Sequence, residues 1–325
     1  MHSLLYKKFK NLEVVQYNKD YKLNFQSVVT IGAFDGVHVG HQEILQNLVK
    51  TAKNEDKKSV VVTFFPHPRM VLEKNTAIKL LNTLEEKTSL IEAIGIDFLY
   101  VIPFNEEFAN LSANDFISEI LVKQLNTKAL YIGYDHLFGK NRAGNFKLLK
   151  EQGDIYNFSV NEIGALSIRE IKISSTKIRT ALIEGDILKA NEFLGYYYFL
   201  SGTVVKGKNI GEKIGFPTAN IKVKESYKLI PKNGVYVVKS FIENQTIYGM
   251  MNIGNRPTVN GKNQTIEVHF FNFNQYIYNT EIKVQFLSRL RDEQKFESLD
   301  ALKNQLKIDQ INAEDFIKNN QEYNR

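Results

Sequence analysis

The sequence predicts a chain of two domains, an α/β domain with a doubly wound parallel sheet followed by an antiparallel β domain. The length of 325 residues exceeds the size at which a single core usually stops growing. In the first half apolar, β-branched runs alternate with helical patterns, whereas in the second half short strand patterns follow one another between turn residues. We expect the first domain to span residues 1–187 and the second residues 188–325.

The predicted strands of the first domain are near-continuous apolar runs, which are typical of strands covered on both faces. Helical patterns lie between them. Apolar residues recur at helical spacing after His41, and a helix N-terminus is indicated at Ser112, with Asp115 in its first turn. This alternation favours a parallel sheet wound by helices. The four runs are SVVTI at 27–31, SVVVTFF at 59–65, FLYVIPF at 98–104 and ALYIGY at 129–134.

The second half begins after a helical pattern at residues 175–194, which we expect Gly195 to terminate. Short strands follow, and in EIKVQFL at 281–287 apolar and polar residues alternate, so one face is expected to be buried. Such a series is typical of an antiparallel barrel or a sandwich, and the pattern leaves both open. The other predicted strands are 235–241, 246–253 and 265–271, before a last helix at 298–319.

The composition excludes several classes of function. The chain has no cysteine, which rules out a disulfide scaffold, a thiolate zinc site and a cysteine nucleophile. The net charge of +6 is spread along the chain rather than gathered in a basic block, so we expect no nucleic-acid partner. No apolar run approaches the ~20 residues of a membrane span, and residues 1–10 lack the pattern of a signal peptide. We therefore expect a cytoplasmic protein without a membrane partner.

The stretch TIGAFDGVHVGHQ, residues 30–42, lies where the first predicted strand passes into the first helix. Ligands bind at this carboxyl end of the strands in open parallel sheets, and the free N–H groups of a helix N-terminus favour an anion. The glycines allow a tight turn, and His38 and His41 can direct ring N–H donors at phosphate oxygens. The pattern G-x-x-x-x-G-K-[ST] of a P-loop is absent, so this would be a different kind of phosphate site.

Two other interpretations of these histidines stay open. A single H-x-x-H pair is common and can consist of ordinary surface or core residues. His67 and His136 can be added to them as metal ligands, although no carboxylate stands at metal spacing beside them.

Two further segments favour the phosphate site. ISSTKIR at 173–179 supplies hydroxyls and two cations at a helix start, and GYDHLFGKNRAGN at 133–145 is a polar, glycine-rich loop after a strand.

Taken together, GAFDGVHVGHQ, TFFPHPR, GYDH-x-FG and ISSTKIR resemble the adenylyltransferase domain of the bacterial bifunctional riboflavin kinase/FAD synthetase family, within the nucleotidylyltransferase superfamily. The resemblance implies that His38 and His41 bind the ATP phosphates and stabilise the transition state, and that Asp135 lies in the nucleotide and flavin pocket. His136 stands where many relatives carry an aromatic residue, which leaves its role open. The other implied residues are Ser174, Ser175, Thr176 and Arg179 at the pyrophosphate end and Gly32, Phe34, Asp35, Gly36 and Gly40 at the nucleotide.

The second half carries a dense motif of its own, GEKIGFPTAN at 211–220. Thr218 and Asn220 are two apart, so on an extended strand they face the same way, and such neutral oxygen ligands suit a Mg²⁺ ion that also binds substrate phosphates. In TIEVHFF at 265–271, Glu267 lies opposite the apolar face, where a rigid strand can place it to take a proton from a hydroxyl. The simpler alternatives are a strand-entry turn with surface polar residues and an exposed sheet glutamate.

The order GFPTAN, GVY, NIGNRPT, IEVHFFNF and LRDEQKF resembles the riboflavin kinase domain of the same family, which folds as a small antiparallel barrel. Two positions depart from the family pattern: Glu212 stands where relatives often have arginine or a neutral residue, and Asn279 replaces a usual glycine. The site residues that the resemblance implies are Thr218 and Asn220 at Mg²⁺ and ATP, Gly211 and Gly215 at the nucleotide, Glu267 as the base on the ribityl 5′-hydroxyl, and Arg291 near the flavin.

The resemblance therefore predicts two successive reactions on one chain. The second domain would phosphorylate riboflavin to FMN with ATP and Mg²⁺, and the first would adenylylate FMN with ATP to give FAD and pyrophosphate. One alternative is a tRNA-ligase-like enzyme that uses the same histidine turn, for which the second half offers no basic aromatic stripe. Another is a flavin- and nucleotide-binding regulatory protein with one or both sites inactive. The sequence leaves the oligomeric state open.

Overall fold

The computed structural model describes residues 11–73, 78–133, 137–163, 167–168, 171–207, 210–258 and 261–320. The chain divides into two compact units, Met1–Ser175 and Thr176–Arg325. Each unit has its own hydrophobic core. The domain boundary that we expect after residue 187 stays a prediction.

The first unit contains a six-stranded sheet in which every pair of neighbouring strands is parallel. This confirms the α/β prediction. Both faces of β2 are buried, because Val28 packs in one core cluster and Val29 and Ile31 pack in another. The strand order is β1-β4-β3-β2-β5-β6. The strands are β1 (Glu13–Gln16), β2 (Ser27–Ile31), β3 (Lys58–Phe64), β4 (Phe98–Ile102), β5 (Thr127–Gly133) and β6 (Ser159–Ile163).

The strand order places a reversal at β2. The chain moves from β2 to β3 and β4 on one side and then crosses to β5 on the other side of β2. In open parallel sheets the carboxyl ends at such a reversal form the ligand crevice. The turn after β2, which carries the predicted histidines, therefore begins at this edge of the sheet.

Helices follow the strands of the first unit in the predicted alternation. Helix α1 buries Leu45, Leu48, Val49 and Ala52, which are residues of the predicted apolar face. Ser112 accepts a hydrogen bond from the Asp115 N–H, which confirms the predicted N-cap. The helical elements are α1 (Val39–Asn54), α2 (Pro68–Leu72), α3 (Leu84–Ile94), α4 (Glu106–Ala109), α5 (Ala113–Asp115), a π-helix (Phe116–Gln124), a 3₁₀ turn (Lys140–Arg142) and α6 (Phe146–Tyr156), with a strand pair β7 (Ser167–Ile168) and β8 (Ile171–Lys172) near the end.

The predicted helix at 175–194 is two helices, so that prediction is wrong in one respect. Gly185 has φ 88° and ends α7 (Ser175–Glu184), and the Asp186 side chain accepts from the Lys189 N–H to begin α8 (Ile187–Leu194). A left-handed glycine followed by an N-cap stops one helix and starts the next. Gly195, with φ 73°, ends α8 as predicted.

The second unit is a closed antiparallel barrel, which confirms the barrel and not the sandwich. Closure depends on β10, which pairs with β13 on one side and β9 on the other. Within the described residues, no helix is long and apolar enough to cross a membrane. The elements are β9 (Phe199–Val205), α9 (Ile210–Lys213), β10 (Ala219–Lys222), β11 (Gly234–Ile242), β12 (Gln245–Thr258), β13 (Gly261–Phe270), β14 (Glu281–Arg291) and α10 (Leu299–Asn319).

Two candidate active sites

The turn between β2 and α1, residues 32–38, has a strained backbone. Phe34, Gly36 and Val37 have φ values of 48°, 87° and 36°, in the left-handed region. A non-glycine residue there costs about 1–3 kcal/mol, and a β-branched valine is a clear outlier. Such a conformation persists only where neighbouring groups hold it, so the contacts of this turn decide how rigid it is.

Asp35 ties the turn to the segment before α3. Its buried carboxylate accepts hydrogen bonds from the Leu81 N–H at 2.9 Å and the Asn82 N–H at 3.4 Å. Its carbonyl oxygen accepts from the Ser175 hydroxyl at 2.8 Å. Asp35 and Ser175 therefore brace the turn in this structure, and their contact with a nucleotide stays a prediction.

Two further carbonyls of the turn are held by side chains. The Ala33 carbonyl accepts from Lys87 Nζ at 3.0 Å and from the Thr63 hydroxyl at 3.3 Å, and Lys87 Nζ also donates to Thr63 Oγ1 at 2.9 Å. The Val37 carbonyl accepts from Gln42 Nε2 at 2.8 Å. The turn is thus fixed from β3, α3 and α1 at once.

His38 and His41 lie together at the N-terminus of α1. His38 is the N-cap, and its Nδ1 accepts from the His41 backbone N–H at 3.4 Å. The two rings stack with centroids 3.6 Å apart, and the Phe34 ring meets His41 edge-on at 5.2 Å. Because Nδ1 of His38 is an acceptor, a neutral His38 carries its proton on Nε2 and can donate it to a ligand.

The electrostatics keep both rings uncharged at neutral pH. Burial lowers the pKa of His38 to about 4. Burial also lowers the pKa of His41, and repulsion from His38 when that ring is protonated and from the Lys87 ammonium lowers it further. Within the described part of the chain, the buried Nδ1 of His41 has no hydrogen-bond partner. Two neutral imidazoles at the positive end of a long helix can offer N–H donors to an anion, and their binding of phosphate oxygens stays a prediction.

The predicted glycines fit this site for steric reasons. A Cβ on Gly32 would lie 3.0 Å from the Phe34 ring, so a larger residue would displace the aromatic ring that packs on His41. Gly40 lies in the first turn of α1 between the two histidines in sequence. The predicted contacts of these glycines and of Phe34 with a nucleotide stay predictions.

The other residues predicted for this site come from later parts of the chain. Ser174 precedes α7, and Thr176 and Arg179 lie on α7 in the second unit. Asp135 and His136 lie outside the described residues. The pyrophosphate contacts of the first three residues and the pocket position of Asp135 stay predictions.

No sequence motif singles out Lys87. It lies on the buried face of α3 together with Leu84, Thr88 and Ile91, where an apolar side chain is the usual occupant. A lysine is almost never fully buried without a partner. A cation on the apolar stripe of an amphipathic helix is therefore the sequence signal that could have indicated this residue.

The second candidate site is a row of polar side chains on the barrel. Glu267 on β13 pairs in register with Asn220 on β10 and with Asn252 on β12. Val268, the next residue, is fully buried, so Glu267 projects from the opposite face of the strand. The Thr218 hydroxyl lies 3.5 Å from Glu267 Oε2. The structure thus brings together the predicted base and both predicted metal ligands.

His269 holds the loop that leads to this row. Because a carbonyl oxygen can only accept, His269 Nδ1 donates to the Pro217 carbonyl, at 2.8 Å. The His269 ring also meets the Phe216 ring edge-on at 5.2 Å. His269 projects from the same face of β13 as Glu267, so one strand carries the carboxylate and fixes the backbone beside Thr218.

The glycines of GEKIGFPTAN shape the same loop. A Cβ on Gly211 would collide with the Phe216 carbonyl oxygen, and Gly215 has φ 86°. Their predicted nucleotide contacts stay predictions. Glu212 lies on the short helix α9. Asn279 has φ 63°, a conformation that glycine adopts freely and asparagine tolerates better than most other residues.

Arg291 forms a bidentate ion pair. Its Nε and Nη2 donate to the two carboxylate oxygens of Asp309 on α10 at 2.8 and 2.6 Å. Asp309 is only 1% exposed and also accepts from Gln305 at 2.9 Å. The guanidinium therefore anchors the last helix to the barrel, and its contact with a flavin stays a prediction.

A protein-only metal centre does not occur among the described residues. No three His, Cys, Asp or Glu side chains of that part of the chain lie close enough to hold an ion. Thr218 and Asn220 supply neutral oxygens on one face, which fits a cation that takes its other ligands from water and nucleotide phosphates.

Two family models match the chain in succession. Residues 21–177 match FAD synthetase, and residues 194–317 match riboflavin kinase. A solved structure described as a macrolide-efflux protein from Streptococcus pneumoniae shares the fold with a TM-score of 0.84 at 33% identity, over 92% of this chain and 97% of the other. Its name refers to efflux, an activity that neither matched domain family describes.

Curated relatives match nearly the full length. The bifunctional riboflavin kinase/FMN adenylyltransferase of Buchnera aphidicola subsp. Schizaphis graminum is 43% identical over 292 residues, covering 89% of this chain and 93% of the relative. The protein with the same name from Bacillus subtilis is 38% identical, covering 90% and 93%. With both domain families present in order, the chain belongs to the bifunctional riboflavin kinase/FMN adenylyltransferase family.

Proposed function

We propose that the chain converts riboflavin to FAD in two ATP-dependent steps, with riboflavin phosphorylation at the barrel site and FMN adenylylation at the histidine turn. The observation that supports the proposal is that His38 and His41 stack at a helix N-terminus in the part of the chain that matches FAD synthetase, and that Thr218 lies beside Glu267 in the part that matches riboflavin kinase. The first step then converts riboflavin and ATP to FMN and ADP, and the second converts FMN and ATP to FAD and pyrophosphate. Because both steps consume ATP, we place the protein in the cytoplasm.

At the histidine turn, His38 and His41 would stabilise the negative charge that builds up on the ATP phosphates. Both rings are neutral, His38 is buried and His41 is partly buried, so their N–H donors need little solvent reorganisation during the reaction. The attacking group is the phosphate of FMN, which is already ionised at neutral pH. The step therefore needs donors and positioning rather than a base.

At the barrel site, Glu267 would accept the proton of the ribityl 5′-hydroxyl as it attacks the terminal phosphate of ATP. A hydroxyl is a weak nucleophile, which explains why this site carries a carboxylate. Thr218 and Asn220 would hold Mg²⁺, which supplies positive charge to the transferred phosphate when it is bound. His269 would keep Thr218 in place through Pro217.

A cavity of about 240 Å³ adjoins Thr218 and supports a nucleotide there. Phe270, Phe273 and Tyr276 are among its walls, and aromatic side chains of this kind stack on a purine ring. We propose that this cavity receives the base of the ATP used by the kinase step.

The test is to incubate the purified, flavin-free protein with riboflavin, ATP and MgCl₂ and to separate the flavins by chromatography over time. FMN should appear first and FAD after it, and chelation of Mg²⁺ should stop FMN formation. FMN alone would contradict the role of the histidine turn. Tight flavin binding with neither product would favour the regulatory alternative and overturn the proposal.

A further inference from the structure

We propose that Lys87 is a positioning residue for adenylyl transfer, whose buried ammonium group fixes the Ala33 carbonyl and with it the turn that carries His38 and His41. This inference rests on the proposed function of the histidine turn. It adds to that function a residue from α3, outside the motifs of the sequence.

The placement of Lys87 is determined by the start of α3. Thr83 and Glu86 form a reciprocal capping box, with the Glu86 N–H donating to Thr83 Oγ1 at 3.1 Å and the Thr83 N–H donating to Glu86 Oε2 at 3.0 Å. Lys87 follows directly and is 7% exposed. Burying a lysine costs side-chain entropy and desolvation of its charge. Its contacts in the interior must offset that cost.

Those contacts are directed at the turn. Lys87 Nζ donates to the Ala33 carbonyl and to Thr63 Oγ1, and both acceptors are uncharged. Hydrogen bonds from a charged donor are about twice as strong as neutral ones, and more so away from water. Without the ammonium, the Ala33 carbonyl would keep only the longer contact from Thr63, at 3.3 Å.

Because the backbone of the turn is strained, the hydrogen bond from Lys87 to the Ala33 carbonyl affects where the turn lies. Ala33 directly precedes Phe34, the first of the three residues with positive φ. A turn that stores strain relaxes when one of its supports is removed. A displacement of about 1 Å at a reacting group can cost 10²-fold in rate.

The charge of Lys87 acts on the histidines as well. Burial lowers the pKa of Lys87 to about 8 and Asp35 opposes that shift, so the group is mostly protonated at neutral pH. Lys87 lowers the pKa of His41 through its positive charge, and His38 does so only when it is itself protonated. Lys87 therefore helps to keep His41 neutral.

The test compares Lys87→Met with Thr88→Val, a matched control on the same buried helix face that loses only a bond within α3. FAD formation from supplied FMN and ATP should fall about 10²-fold in kcat for Lys87→Met, with the KM for ATP changed less than about threefold. Thr88→Val should keep the wild-type rate. The acid limb of the pH profile should lie at higher pH in Lys87→Met, because His41 loses a positive neighbour.

A folded Lys87→Met with wild-type kcat and an unchanged pH profile would overturn the inference, even if its melting temperature were lower. If Lys87→Met does not fold, Thr63→Val leaves the lysine in place but removes one of its acceptors and the Thr63 contact to the Ala33 carbonyl. That variant should lose about 5- to 10-fold in kcat, and a wild-type rate would equally overturn the inference. Wild-type protein that makes no FAD would instead refute the proposed function of the turn.

Discussion

The two sites of this chain place their functional groups by opposite structural means. The histidine turn is irregular backbone, with Phe34 and Val37 at positive φ, and side chains from three other elements hold it. Glu267 lies in a regular ladder, where register alone sets it beside Asn220 and Asn252. The histidine turn needs external support, whereas the sheet provides its own.

The difference matches the chemistry that each site is proposed to perform. An ionised phosphate nucleophile needs precisely held donors away from water, and the neutral rings of His38 and His41 at a helix N-terminus can supply them. A hydroxyl nucleophile needs a group that can accept its proton, and the Glu267 carboxylate on the outer face of the barrel can do so. At the barrel site, removal of the base should therefore reduce the rate far more than removal of a residue that positions it. At the histidine turn, removal of a positioning residue should reduce the rate more than it does at the barrel.

The largest effect is expected from Glu267→Gln, which removes the base and keeps the shape. Riboflavin phosphorylation should fall about 10³-fold, within the range for general bases, while FAD formation from supplied FMN should stay unchanged. Chromatographic assays of the two steps on one preparation check this. Loss of both activities would contradict the independence of the two sites.

His38→Ala should reverse that pattern. Removing one preorganised donor at developing negative charge costs about 10²- to 10³-fold in kcat, so FMN should accumulate from riboflavin and little FAD should form. His38→Asn serves as a control for the helix cap, because its side-chain oxygen can still accept the His41 N–H. An unchanged FAD yield in His38→Ala would show that the turn is only structural.

Acid should destabilise the first unit through the same histidine. The pKa of His38 is about 4 in the folded state and 6.5 ordinarily, so between those values the unfolded chain binds a proton that the folded chain does not. The free energy of unfolding should thus decrease by roughly 3 kcal/mol as the pH falls from 6.5 towards 4. Urea unfolding at several pH values should show this loss in the wild type and a smaller loss in His38→Asn. Equal losses would assign the acid sensitivity to other groups.

The parts that sequence could predict are those whose cause is local. The near-continuous apolar run of β2 follows from burial on both faces, and the N-cap at Ser112 and the stop at Gly195 follow from side-chain and backbone preferences. The rule that ligands bind at the carboxyl ends of parallel strands also located the histidine turn. The break between α7 and α8 at Gly185 and Asp186 also has a local cause. The prediction missed it because the helical spacing of apolar residues continues across the break.

The parts that sequence missed depend on distant residues. Barrel closure requires β10 to pair on both sides, which alternation within one strand cannot reveal. Lys87 reaches Ala33 across 54 positions of the chain, and its place on an apolar helix face resembles that of a core residue. Arg291 carries an ion pair with Asp309 on a later helix, so its structural role is invisible in the motif LRDEQKF.

The smallest effect is expected from His269, whose side chain holds the loop beside Thr218 at the barrel site. His269→Ala removes the donor to the Pro217 carbonyl and loosens Thr218, so kcat/KM of the kinase for ATP should fall about 10-fold, mainly through KM. FAD formation from FMN should not change. His269→Asn can place an amide N–H near the position of Nδ1 and should recover most of the loss.

This prediction sharpens the contrast between the sites, because His269 and Lys87 each hold one backbone carbonyl near a catalytic group. The barrel ladder keeps Glu267 in register without His269, whereas the strained turn relies on its braces. A loss of about 10² in Lys87→Met against about 10 in His269→Ala would support that account. A larger loss for His269→Ala, without recovery in His269→Asn, would mean that the imidazole contacts the substrate and that the barrel site depends on more than its register.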